Sequence, residues 1–166
     1  MKLPKISLRF LWISGMFLFV VIAVVSIIPG PYAETLSVSR TDAILQSAQL
    51  GPESTAVMLR ACGNCHSNQT KWPMYSRVAP VSWLIRKDVN EGRKFLNFSV
   101  WPEYGVEGQG QLLAASLTQI KSGQMPPARY ALPHSEAKLG DQERLDLLEA
   151  MERELSRLSK PMPSKP

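Results

Sequence analysis

Residues 60–70 read Arg60-Ala61-Cys62-Gly63-Asn64-Cys65-His66-Ser67-Asn68-Gln69-Thr70, and they hold both cysteines of the chain. The spacing is Cys-x-x-Cys with a histidine directly after, the arrangement that attaches a c-type haem. Two thiols so spaced reach the two haem vinyl groups as thioethers, and the next residue lies under the porphyrin, where its imidazole can bind iron. Cys62 and Cys65 are thus the candidate attachment points for one covalent haem c, with His66 as candidate proximal ligand.

Two other chemistries use the same residues. A redox dithiol calls for a βαβ pattern nearby, whereas the flanks here are helical in pattern and broken by proline. A zinc site needs four ligands, which Cys62, Cys65, His66 and His134 would just supply. Adjacent Cys65 and His66 chelate one ion poorly, and the second half of the chain offers no paired ligand. Haem attachment is the reading that remains.

The length of 166 residues allows one domain and an appendage. Lys2, Lys5 and Arg9 precede an uncharged run from Phe10 to Ile28, about the length of a bilayer-spanning helix and longer than the apolar part of most signal peptides. A cleavage site after Ala33 would put Pro31 where a small residue is wanted, so residues 1–30 read as a retained signal anchor. The basic flank stays in the cytoplasm. The expectation is therefore a single-pass protein of the bacterial inner membrane, with its C-terminal domain in the periplasm. That agrees with the site of c-type haem attachment and leaves no thiol for a disulfide.

The formal charge of +5 is unevenly spread. Three positive charges precede the apolar run, and between Arg60 and Arg129 nine basic residues face four acidic ones. A basic middle around a haem suits docking to an acidic redox partner protein or a membrane electron-transfer complex. Nucleic acid is excluded as a partner by the expected location.

Along the chain, Pro29-Gly30-Pro31-Tyr32-Ala33-Glu34 breaks the apolar helix, and residues 31–52 read as a juxtamembrane spacer with a weak helix. The haem-bearing domain is expected over 53–159, beginning with a helix that ends at the motif. Trp72-Pro73 and Ala79-Pro80 confine Met74 to Val78 to a turn. Pro80 and Gly92 bracket a helix over 81–91. Phe95 to Trp101 reads as an extended stretch packed on the core, and Gly105, Gly108 and Gly110 mark a mobile loop. Leu113, Leu117 and Ile120 define a helix over 111–122 that Gly123 caps. The last helix, 141–159, carries Leu145, Leu148, Met151, Leu155 and Leu158 as its apolar stripe. Residues 160–166 read as a disordered tail. All elements are helical, so the expected class is all-α.

The sixth position on iron decides whether a haem carries electrons or binds small molecules. Met125 is the leading candidate, because it follows a capped helix and is held by Pro126 and Pro127. Met58, Met74 and Met151 read as core fillers. His134 is the competitor, and its alternative role is a hydrogen bond near a haem propionate or a cap on the last helix.

Taken together, CGNCHSNQTKWPMYSRVAPVSWL at 62–84, GRKFLNFSVW at 92–101 and GQMPPARYALPH at 123–134 resemble the haem-binding domain family of bacterial monohaem c-type cytochromes. The resemblance covers roughly 53–158. It implies a class I cytochrome c-like helical domain around covalent haem, axial His66, and Met125 as distal ligand. It also implies Trp72, Tyr75, Trp83, Trp101 and Tyr130 as packing groups beside the haem. The expected function is that of a membrane-anchored electron carrier rather than an enzyme, working with a respiratory or photosynthetic complex. The alternatives are a haem-based sensor or peroxidase-like protein with an open distal site, and a structural subunit stapled by haem.

Overall fold

The computed structural model describes residues 8–27, 44 and 47–160, and the regular structure among them is helical throughout. The hinge read at 29–34, most of the spacer and the tail beyond 160 lie outside the described residues. The described parts fall into two compact units, one within Met1–Ala33 and Trp72–Asp88, the other within Glu34–Lys71 and Val89–Pro166.

The first unit contains α1, Leu8–Ile27, whose apolar side chains are mostly exposed. No helix among the described residues is long and apolar enough to cross a membrane. The membrane-spanning anchor expected from the sequence, and the single-pass inner-membrane localisation drawn from it, are corrected on that ground. A 3₁₀ turn over Met74–Arg77 follows Pro73, whose carbonyl accepts from the Ser76 hydroxyl at 2.6 Å. Met74 is 89% exposed, so it fills no core. The helix α2, Pro52–His66, belongs to the second unit, and α3, Val81–Phe95, starts in the first and ends in the second.

In the second unit the chain continues through a 3₁₀ stretch at Phe98–Tyr104, then α4 at Gly105–Lys121, the short α5 at Ala128–Ala131 and α6 at Asp141–Leu158. α6 packs against both α4 and α2. Their shared core holds Met58 from α2, Phe98 and Trp101 from the 3₁₀ stretch, Leu113 and Leu117 from α4, and Leu147 and Met151 from α6. Ile44, Ala48 and Leu50, read in sequence as spacer, are buried in this core as well.

Three local expectations change. Phe98–Tyr104 packs on the core as expected, but as a 3₁₀ helix instead of an extended stretch. The loop read at Gly105, Gly108 and Gly110 is the start of α4, where the lack of a side chain lets neighbours approach. A Cβ on Gly108 would stand 3.3 Å from Tyr104 Cβ, and one on Gly110 would stand 3.8 Å from Leu155 Cδ1. On α6, Met151 and Leu158 of the expected stripe are buried and Leu148 and Leu155 pack against the core, while Leu145 is 61% exposed and Leu147 and Ala150 are buried in its place. The same face buries a carboxylate.

That carboxylate, Glu154, is fully buried at its side chain and accepts from Arg157 Nε at 2.6 Å and Nη2 at 2.8 Å. Burial works against its charge, but the hydrogen bonds from Arg157 and from the Gln49 backbone prevail, holding its pKa below the ordinary 4.5. Glu154 thereby fastens the segment preceding α2 to the closing helix. A depressed carboxylate pKa contributes stability that is fully present above the ordinary value and is lost as pH falls through the folded value. Arg157→Ala leaves a buried charge without its partner and is expected to cost about 2 kcal/mol. Urea midpoints at neutral pH measure this, and acid unfolding of the variant should begin at higher pH than in the parent. Equal midpoints would show that Arg157 contributes nothing to holding Glu154.

Candidate functional site

The motif lies on the last turns of α2. Pro52 at the first position and the Thr55 hydroxyl, donating to Gly51 O at 2.6 Å, start the helix. It ends at His66, where Ser67 turns extended and its hydroxyl donates back to Gly63 O at 2.7 Å while accepting from Gln69 N at 3.1 Å. At 3.6 residues per turn, Cys62, Cys65 and His66 fall on neighbouring positions of one face. The expectation that the motif closes a helix holds, with the helix running through the motif itself.

Gly92 determines how near α3 comes to this face. It was read as the residue that ends a helix, yet α3 continues through it to Phe95. A Cβ at Gly92 would lie 2.7 Å from the Cys65 carbonyl oxygen and 3.2 Å from Cys65 Cβ, so only glycine allows the two backbones to meet there. The approach brings the residue just beyond α3 to the histidine. His66 Nδ1 donates to the Leu96 carbonyl at 3.0 Å, and the Phe98 ring lies 6.0 Å from the imidazole. Burial pushes the His66 pKa down, so the ring is neutral. With Nδ1 committed to a carbonyl, Nε2 carries the free lone pair. Burial, with a smaller contribution from neighbouring Cys65, pushes the Cys62 thiol up to about 12, and neither cysteine is in a disulfide.

Of the residues expected beside the haem, Tyr130 is tied directly to the motif. Asn64 Nδ2, inside the Cys-x-x-Cys, donates to the Tyr130 hydroxyl at 2.8 Å. His134 is tied in turn to Tyr130: its Nδ1 donates to the Tyr130 carbonyl at 2.8 Å and the rings stack with centroids 4.3 Å apart. It does not cap α6, whose first turn is closed by Glu143 accepting from Gly140 N at 3.0 Å. Met125 is half-buried and packs against the same core as Cys62 and Leu96, its N–H donating to Gln119 O at 3.2 Å. Trp101 is 1% exposed, edge-on to Tyr104. Trp72, Tyr75 and Trp83 belong to the other unit, where Tyr75 and Trp83 are 40% and 37% exposed. Among the described residues no three His, Cys, Asp or Glu side chains converge as a metal cage.

Sequence reasoning passed over Asn64, Leu96, Asn97 and Tyr104, and gave Gly92 another role. Leu96 acts through its carbonyl, which no side-chain pattern reports. Asn64 occupies a position that the motif leaves open to any residue.

A family model described as a haem-binding domain matches residues 18–153. The chain belongs to that family. No curated protein and no solved structure matches the chain.

The matched span of this haem-binding domain begins well ahead of the motif and so includes Ile44, Ala48 and Leu50, in keeping with their place in the core. Haem is the cofactor the family implies, and the donors suit it. His66 presents a neutral imidazole with one nitrogen anchored, the condition for a well-oriented metal ligand. Trp101 Nε1 is buried without a hydrogen-bond partner, and an orphaned buried N–H is what a haem propionate would satisfy.

Proposed function

We propose that this haem-binding domain is a monohaem c-type cytochrome and carries single electrons. The observation that carries the reading is the commitment of His66 Nδ1 to the Leu96 carbonyl at the end of a helix that presents both cysteines. Cys62 and Cys65 would hold the haem as thioethers, and His66 Nε2 and the Met125 sulfur would be its iron ligands. Bound haem supplies the one-electron couple, while the chain orients it, keeps water from it and presents one edge. Trp101 and Tyr130 pack beside it. No acid or base is required, so the domain is a carrier and not an enzyme. Exposed Lys71, Lys94 and Arg129 favour docking to an acidic redox protein or to an acidic face of an electron-transfer complex.

Acid acetone and the pyridine haemochrome spectrum test the attachment. The parent protein should retain its haem, Cys62→Ala and Cys65→Ala should each show the band of a single thioether, and the double variant should release haem completely. Covalent haem in the double variant, or full extraction from the parent, would sink the reading. Carbon monoxide addition to the reduced protein separates a carrier with both positions filled, which should not bind it, from a sensor with an open site.

A further inference from the structure

We infer that the Tyr104 hydroxyl sets the electron-donating strength of His66 through the Leu96–Asn97 peptide group. This rests on the proposed axial role of His66.

The carbonyl of Leu96 and the N–H of Asn97 are the two ends of one peptide group. The carbonyl accepts from His66 Nδ1 at 3.0 Å, and the N–H donates to the Tyr104 hydroxyl oxygen at 2.9 Å. The four groups form one file: imidazole N–H, carbonyl, amide N–H, phenol oxygen. Hydrogen bonds in such a file polarise one another, most strongly where water is excluded. An acceptor on the amide N–H draws positive charge to that end of the peptide and leaves more negative charge on the carbonyl oxygen. The carbonyl then pulls harder on the Nδ1 proton, and the imidazole becomes a stronger donor at Nε2.

The surroundings hold the file in line. Asn97 is buried, and its side chain donates to Asn68 Oδ1 at 2.8 Å and accepts from Ser99 N at 3.0 Å. The Ser99 hydroxyl accepts from Asn68 N at 2.9 Å. The peptide is thus pinned to the chain just beyond His66. Tyr104 lies edge-on to the buried Trp101 ring at 6.1 Å, and the chain leaves it through Gly105 at a φ of +63°. The bonds of the Asn97 side chain fix where the loop sits without acting on this amide. Tyr104 is therefore a positioning residue that works on the iron through another group.

A more strongly donating histidine favours ferric iron, so the Tyr104 bond lowers the reduction potential. Tyr104→Phe in the haem-loaded protein should raise the potential and move the His66 Nδ1 proton resonance of the ferrous form upfield, with the visible spectrum still low-spin. Incorporating 3,5-difluorotyrosine at position 104, measured at a pH low enough to keep its more acidic phenol protonated, keeps the size and the hydroxyl but makes the oxygen a poorer acceptor. It should shift both readouts in the same direction by a smaller amount, which guards against a variant that admits water or folds badly. An unchanged or lowered potential in both variants, or an unmoved Nδ1 proton, overturns the inference. His66→Ala separates this from the reading beneath it: a spectrum still low-spin there would mean that His66 is not the ligand, whatever the Tyr104 variants show.

Discussion

Gly92→Val is expected to destabilise the folded domain by about 3 kcal/mol and to loosen His66, the proposed haem ligand. The added Cβ would meet the Cys65 carbonyl oxygen at 2.7 Å and the Cys65 carbonyl carbon at 3.2 Å. These are backbone atoms, so no rotamer change relieves the clash and the two helices must part. Leu96 directly follows α3, so the separation draws its carbonyl away from His66 Nδ1. Gly92→Ala should show the same sign more weakly, because alanine gains about 1 kcal/mol of helix propensity against the overpacking. Gly63 supplies the control within the motif helix: a Cβ there meets nothing closer than 4.0 Å. Gly63→Ala should be neutral or slightly stabilising. Urea midpoints for the three variants, with haem content per chain, measure the effect. If Gly92→Ala proves as stable as Gly63→Ala, the crossing is looser than described.

Met125→Ala is expected to lower the reduction potential by a few tenths of a volt, on the order of what a change of axial ligand produces. The fold should survive, because Met125 is only half-buried at the edge of the core and its loop keeps the Gln119 and Tyr130 contacts. The far-red methionine-to-iron band should vanish and the reduced protein should bind carbon monoxide. His134→Ala should leave the ligand-field spectrum unchanged, since its Nδ1 is occupied by the Tyr130 carbonyl and its ring by the Tyr130 ring. High-spin haem in the His134 variant with an unaltered spectrum in Met125→Ala would reverse the ligand assignment.

The haem-binding family could be read from sequence because the Cys-x-x-Cys-His spacing is set by chemistry whatever fold surrounds it. Helix content could also be read: Leu113, Leu117 and Ile120 are buried on α4, and Gly123 ends it at a φ of +71°. Glycine was the ambiguous letter. Gly123 and Gly92 look alike in sequence, but one supplies a backbone angle and the other makes room for a neighbouring helix. Gly105, Gly108 and Gly110 suggested a loop because flexibility and close packing both call for the missing side chain. On α6, Leu145 and Leu147 are equally apolar, and the structure buries Leu147, with Glu154, on the face of Met151 and Leu158. The apolar run at the N-terminus suggested a span by composition, whereas no helix among the described residues is long and apolar enough to be one. The hydrogen bonds that aim His66 pass through backbone groups, which carry no letter at all.

Arg60, two residues ahead of the first cysteine, donates to the carbonyls of Glu136 and Lys138 and pairs with Glu143 at 2.7 Å. These partners stand 76 to 83 residues later in the chain. During synthesis the cysteine-bearing helix therefore emerges long before the segment that locks over it exists. The proposed attachment of haem would have an open substrate for as long as most of the domain takes to be made, and the arrival of α6 would end that interval.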